Sequence, residues 1–157
     1  MDKELEQLNE LKQRFAYMFT GQNLGLDIYR GWLSDFITAC EAIDALLGND
    51  KRGFHWRHTK EKHGFARYYF RTDEVRPFRL SISDGKGLRE ITTGLDGHEI
   101  EQQIAKLCSV AEMASLTKCM VCSAPATIQR YGGWAVCACE KHSPDVPGDH
   151  LKKAVIR

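Results

Sequence analysis

The chain of 157 residues is 43% hydrophobic, 27% charged and 10% aromatic, the composition of one ordinary globular unit rather than of a disordered, collagenous or fibrous chain. Its net charge of +1 excludes a uniformly basic nucleic-acid coat but hides an asymmetry: residues 1–50 carry four cations against nine carboxylates, residues 51–80 nine against three, and the remainder nine against nine. No run approaches the roughly 18 apolar residues that cross a bilayer, and the opening MDKELEQLNELKQR is too charged for a secretory signal, so a cytosolic chain with free or metal-bound cysteines is expected.

Leu5, Leu8, Leu11, Phe15, Met18 and Phe19 recur at steps of three and four, which predicts one amphipathic helix over 2–20. After a Gly/Asn loop, Asp27 is the expected cap of a second helix with the apolar set Ile28, Trp32, Phe36, Cys40, Ile43 and Leu47, ended by Gly48. Trp32 is expected to anchor that helix to a sheet, and Cys40 to lie in the core. FHWRHT and FARYYFR, separated by KEKHG, form the expected β-hairpin, with Gly64 supplying the positive φ of its turn. Alternation from Phe78 to Ile82 and a reversal at 84–87 add a second hairpin, giving a middle antiparallel sheet of three or four strands. Ile100, Ile104, Leu107, Ala111 and Ala114 mark a third helix, starting near Asp96 or Gly97, with Cys108 on its apolar face. LKKAVI near the end suits a last short strand or helix.

The most specific chemistry lies at 119–142. Cys119-x2-Cys122 is followed by a strand, a Gly132-Gly133 turn, a second strand and Cys139-x2-His142. A CxxC turn offers two thiolates to one cation, and the hairpin returns a second pair of ligands to the opposite side, the donor set of tetrahedral Zn²⁺. Cys137 is a competing fifth candidate. Cys139-x2-His142 mirrors the first knuckle better, which leaves Cys137 as a strand residue beside the site. Four protein ligands leave no position for water, so a structural ion is expected, folding a segment too small to build its own core. The expected fold class is α+β: two N-terminal helices on a small antiparallel sheet, a third helix, and a C-terminal zinc-ribbon-like knuckle hairpin. The expected division is an α+β core over 1–115 and a zinc-binding hairpin and tail over 116–157.

Gly31-Trp32-Leu33 with Ile43-Asp44-Ala45-Leu46-Leu47, Lys60-Glu61-Lys62-His63-Gly64 followed by Arg67-Tyr68-Tyr69, Ala111-Glu112 with Ser115, and the Cys119, Cys122, Ala124-Pro125, Gly132-Gly133-Trp134, Cys139, His142 series together resemble a family of small phage and prophage proteins. These share a KEKFG-LRFY hairpin and a CxxC…CxxH zinc site. The chain departs from the pattern at His63, where the family has Phe, at Ala66, where it usually has Leu, and in an additional hairpin over 75–95. The resemblance implies phage origin, a zinc-stabilised α+β fold and residence in the cytoplasm of an infected bacterial host; it brings the zinc ligands and no catalytic residue.

Three function classes follow. The first is a non-enzymatic binding protein that inhibits or redirects a host macromolecule, a counter-defence factor of the anti-CRISPR kind, for which a rigid patch of about 800 Å² suffices. On that reading Asp2, Glu4, Glu6 and Glu10 are phosphate mimics, or simply a solvated helix face suited to the dipole. The second is a nucleic-acid binder using the basic, aromatic stretch 51–80, with Arg57, Lys60, Lys62, Arg67 and Arg71 as the candidate surface. Period-two alternation also explains that stretch as one buried aromatic face and one solvated charged face, in which case nucleic-acid affinity is weak and non-specific. The third is a metal-dependent nuclease built from His55, His58, Glu61 and His63, with His98 as a further histidine. The sequence offers no nucleophile elbow, phosphate loop or paired-carboxylate motif for it.

Overall fold

The computed structural model describes residues 2–73, 78–84, 87–93, 99–131, 133–143 and 154–157, with 78–84 and 87–93 described by their backbone pairing. Asp2 caps the first helix, α1 (Lys3–Arg14), by accepting the Leu5 N–H at 3.2 Å, and its carboxylate also pairs with the Arg30 guanidinium. The single helix expected over 2–20 is broken at Phe15, whose φ of −121° and ψ of 52° leave the helical region. The chain then resumes as the one-turn α2 (Ala16–Phe19). The break turns buried Phe15 and Met18 into the core.

The expected cap at Asp27 is not one. Asp27 donates its N–H to the Thr59 carbonyl and its carboxylate receives Arg157. The chain passes through β1 (Ile28–Tyr29) and a 3-10 turn (Arg30–Trp32) before α3 (Leu33–Leu47) begins. Gly48 ends α3 with a φ of +62°, as the sequence predicts.

β2 (His55–Lys62) and β3 (Phe65–Arg71) form the expected hairpin across His63 and Gly64, both with positive φ, a two-residue turn whose twist matches the strands. Its inner face buries Trp56, Thr59, Ala66, Tyr68 and Phe70. Phe36 of α3 lies against Trp56 and Tyr68, with ring centroids 5.1 and 5.0 Å away. β4 (Phe78–Asp84) and β5 (Gly87–Thr93) pair with each other and not with this hairpin, so the expected sheet of three or four strands is two separate ribbons. Each edge of the first ribbon is already occupied. Leu24, Leu26 and Asp27 run along β2, with Leu24 N–H bonded to the Arg57 carbonyl at 2.8 Å. On the β3 side, α4 (Glu99–Ser115) presents Glu112 Oε2 to Tyr68 N–H and Ser115 Oγ to Ala66 N–H, both at 2.9 Å. Side chains thus satisfy donors that a third strand would otherwise take. The expected helix start at Asp96 or Gly97 lies outside the described residues.

β6 (Ile128–Tyr131) and β7 (Trp134–Cys137) form the C-terminal hairpin, and β8 (Val155–Ile156) pairs with β1. One apolar cluster runs from Leu8 and Phe36 through Ile104 and Cys108 to Cys119, Val136 and Cys137, so both portions of the chain share a core. Cys40 and Cys108 are buried in it, as expected. No described helix is long and apolar enough to cross a membrane.

Candidate metal centre

Two tight turns build the site. In the first, Ser123 N–H returns to the Cys119 carbonyl at 2.9 Å; in the second, Ser143 N–H returns to the Cys139 carbonyl at 2.7 Å. Each closes a loop that places its two ligand residues on the same side. The β6–β7 hairpin then sets the turns face to face, and Met120 N–H, bonded to the Cys137 carbonyl at 2.9 Å, fixes their separation.

The sulfurs of Cys119, Cys122 and Cys139 and a ring nitrogen of His142 all lie within 4.8 Å of one another. Cys122 and Cys139 sulfurs are 3.7 Å apart, and His142 Nδ1 lies 3.3 Å from the Cys139 sulfur and 3.6 Å from that of Cys119. A sulfur separation of 3.7 Å is far beyond a disulfide bond of about 2.05 Å. It matches the edge of a tetrahedron about a cation with Zn–S near 2.3 Å and Zn–N near 2.0 Å, whose ligand atoms stand about 3.5–3.8 Å apart. The donor set therefore fits a four-coordinate metal. Among the described residues it is the only group of three or more His, Cys, Asp or Glu side chains that converges in this way.

The thiols differ in their environments. Burial raises Cys139, but the His142 backbone N–H, the His142 ring and the neighbouring sulfurs outweigh it and bring the thiol down to about 6. Burial first, and then the Cys139 and Cys119 sulfurs, push Cys122 up to about 11. Cys137 is outside the cluster: its sulfur points to the Lys118 carbonyl at 3.2 Å, and burial above all holds its thiol at about 11.

The first turn is wedged into the N-terminal half of the molecule. Gly31 N–H bonds to the Met120 carbonyl at 2.9 Å, Ser123 Oγ bonds to the Gly31 carbonyl, and Lys118 reaches Asp35 at 2.7 Å. Trp32, expected to join a helix to a sheet, is buried in the core and donates its indole N–H to the Lys118 carbonyl at 2.9 Å. A Cβ at Gly31 would overlap the Cys119 carbonyl oxygen and stand 2.7 Å from the Met120 carbonyl carbon. Gly64 makes a looser approach to the C-terminal hairpin, with the Ile128 side chain and the Ala135 backbone 3.1 and 3.3 Å from where its Cβ would be. Gly31, Ser123 and Lys118 carry no ligand signal of their own, and no spacing rule would have selected them.

The other candidate residues fall elsewhere. Lys60, Lys62, Arg67 and Arg71 stand on the outer face of β2–β3, whereas Arg57 sits at the register shift between Trp56 and His58, its guanidinium 3.5 Å from the Gln22 carbonyl. His55, His58, Glu61 and His63 do not converge. His55 Nδ1 lies 3.0 Å from the Gly53 carbonyl, His58 packs near Tyr69, and Glu61 accepts the Gly64 N–H at 2.7 Å as part of the turn. His98 lies outside the described residues. Of the cap and the acidic residues of α1, Asp2 and Glu4 are held by Arg30, while Glu6 and Glu10 are exposed. No family model matches the chain, and neither a curated protein nor a solved structure resembles it closely enough to be counted a match.

Proposed function

We propose that this chain is a zinc-stabilised, non-enzymatic binding protein that inhibits or redirects a host macromolecule. The observation that carries the reading is the mutual approach, within 4.8 Å, of three sulfurs and one imidazole nitrogen. Such a set saturates a tetrahedral zinc and leaves no position for a substrate or an activated water. Cys119, Cys122, Cys139 and His142 would hold the ion, which supplies cross-linking rather than Lewis-acid chemistry. Its effect would extend beyond the hairpin, because Gly31 docks on the first turn and Trp32 and Asp35 hold Lys118, the residue just before it. The dispersal of His55, His58 and Glu61 into separate hydrogen-bonding roles weighs against the nuclease alternative. The resemblance to phage proteins supplies the target class, a macromolecule of a bacterial host, and a counter-defence role.

The test is incubation of the metal-replete protein with DNA, RNA and cyclic nucleotides in Mg²⁺ or Mn²⁺. The expected result is intact substrate throughout. Turnover that disappears in His55→Ala or Glu61→Ala but persists in Lys12→Ala would replace this reading with the nuclease.

A further inference from the structure

The β2–β3 pairing sorts the hairpin into two ladders of unlike chemistry. Trp56 with Phe70, Thr59 with Tyr68, and Glu61 with Ala66 belong to the inner ladder. The outer ladder pairs His55 with Arg71, His58 with Tyr69, Lys60 with Arg67, and Lys62 with Phe65. It therefore carries four cations, two histidines, two aromatic rings and no carboxylate. The one acid of the two strands, Glu61, sits on the other ladder and is engaged by the Gly64 N–H.

Lys60 and Arg67 are directly opposite each other on the outer ladder. Tyr69 and Phe65 are kept on this face rather than in the core, each under a cation: Lys60 Nζ stands 5.9 Å from the Tyr69 ring centre and the Arg67 guanidinium 4.5 Å from that of Phe65. Cations beside outward rings on a sheet face form the combination that holds phosphates while stacking on bases. A duplex hides the faces of its bases, so the rings favour a single strand. From Phe65 to Arg71 the ladder runs about 20 Å, since a strand rises roughly 3.3 Å per residue.

We propose that the outer face of the β2–β3 hairpin binds single-stranded nucleic acid, with Lys60, Lys62, Arg67 and Arg71 on the phosphates and Tyr69 and Phe65 against the bases. The proposal rests on the reading of the chain as a binding module and names its partner. Arg57 is outside the ladder and contributes only to the general field.

The experiment is fluorescence anisotropy with a labelled oligothymidylate of about 12 nucleotides, titrated with the zinc-loaded protein between about 50 and 200 mM salt. With four phosphate contacts, the slope of log K against log salt is expected near −3, and Lys60→Gln and Arg67→Gln should each flatten it by about 0.7. Tyr69→Leu should weaken binding roughly tenfold with the slope unchanged, and a duplex of equal length should bind less well. Absent or salt-independent binding, full affinity in Tyr69→Leu, or preference for the duplex would overturn the proposal. Metal content and the length of the recovered oligonucleotide, measured on the same samples, separate the two levels. A zinc-loaded chain that leaves the strand uncut and unbound fails here alone, whereas a cut strand or a metal-free chain defeats the reading beneath it.

Discussion

Glu112 Oε2 accepts the backbone N–H of Tyr68 at 2.9 Å, so a helix side chain occupies the hydrogen-bonding position of a neighbouring strand. Both residues are buried, at 6% and 4% exposure. Water therefore cannot replace the acceptor at low cost. Glu112→Ala should lower the unfolding free energy by about 2–3 kcal/mol, the range for a lost hydrogen bond to a charged group that strands a buried donor. Glu112→Gln, which keeps an acceptor, should lose less. Urea unfolding of the two variants checks this; equal stability of wild type and Glu112→Ala would mean that the β3 edge is not held in this way.

At Gly31 the expected effect is steric. The Cβ of Gly31→Ala would meet the backbone of Cys119 and Met120, neither of which can move without disturbing the first metal-binding turn. Loss of about 1–3 kcal/mol is expected from overpacking of this kind. The same variant should yield its metal to a chelator faster than wild type, because the displaced atoms belong to the turn that carries Cys119 and Cys122. A chelator competition showing unchanged release would detach the 3-10 turn from the site.

These two relationships also mark where sequence reading stops. The site residues were legible because CxxC and CxxH turns are local and a hairpin between them fixes their meeting. The β2–β3 turn was legible for the same reason, through Gly64. The break in the first helix was not, since Phe15 keeps the helical period and departs from it only to place itself and Met18 in the core. Asp27 looked like a cap because its type and position suit one; the acceptor it prefers to serve, Thr59, is 32 residues away. The separation of the two ribbons was hidden likewise, because alternation defines strands but says nothing of which edge a helix side chain such as Glu112 or Ser115 will close.

Acid should act at the start of α1. The hydrogen bond from Arg30 holds the Asp2 carboxyl at about 2, against an ordinary value of 3.8, with burial opposing and the Leu5 N–H assisting. A group depressed in the folded state contributes its stability above its unfolded value and loses it as the pH falls through the interval between the two. The difference in urea midpoint between wild type and Asp2→Asn should therefore be full at about pH 6 and shrink as the pH drops from about 4 toward 2. A difference independent of pH would show that the Asp2–Arg30 pair does not carry the effect.

The metal content of three purified chains tests the site most directly. Wild type and Cys137→Ser should each carry one zinc per chain, because the Cys137 sulfur is turned to the Lys118 carbonyl and away from the cluster. Cys139→Ser should carry none and should lose the ordered C-terminal hairpin, since a three-ligand remnant holds zinc too weakly to fold it. Zinc absent from the wild type, or retained by Cys139→Ser and lost by Cys137→Ser, would contradict the assignment of Cys119, Cys122, Cys139 and His142.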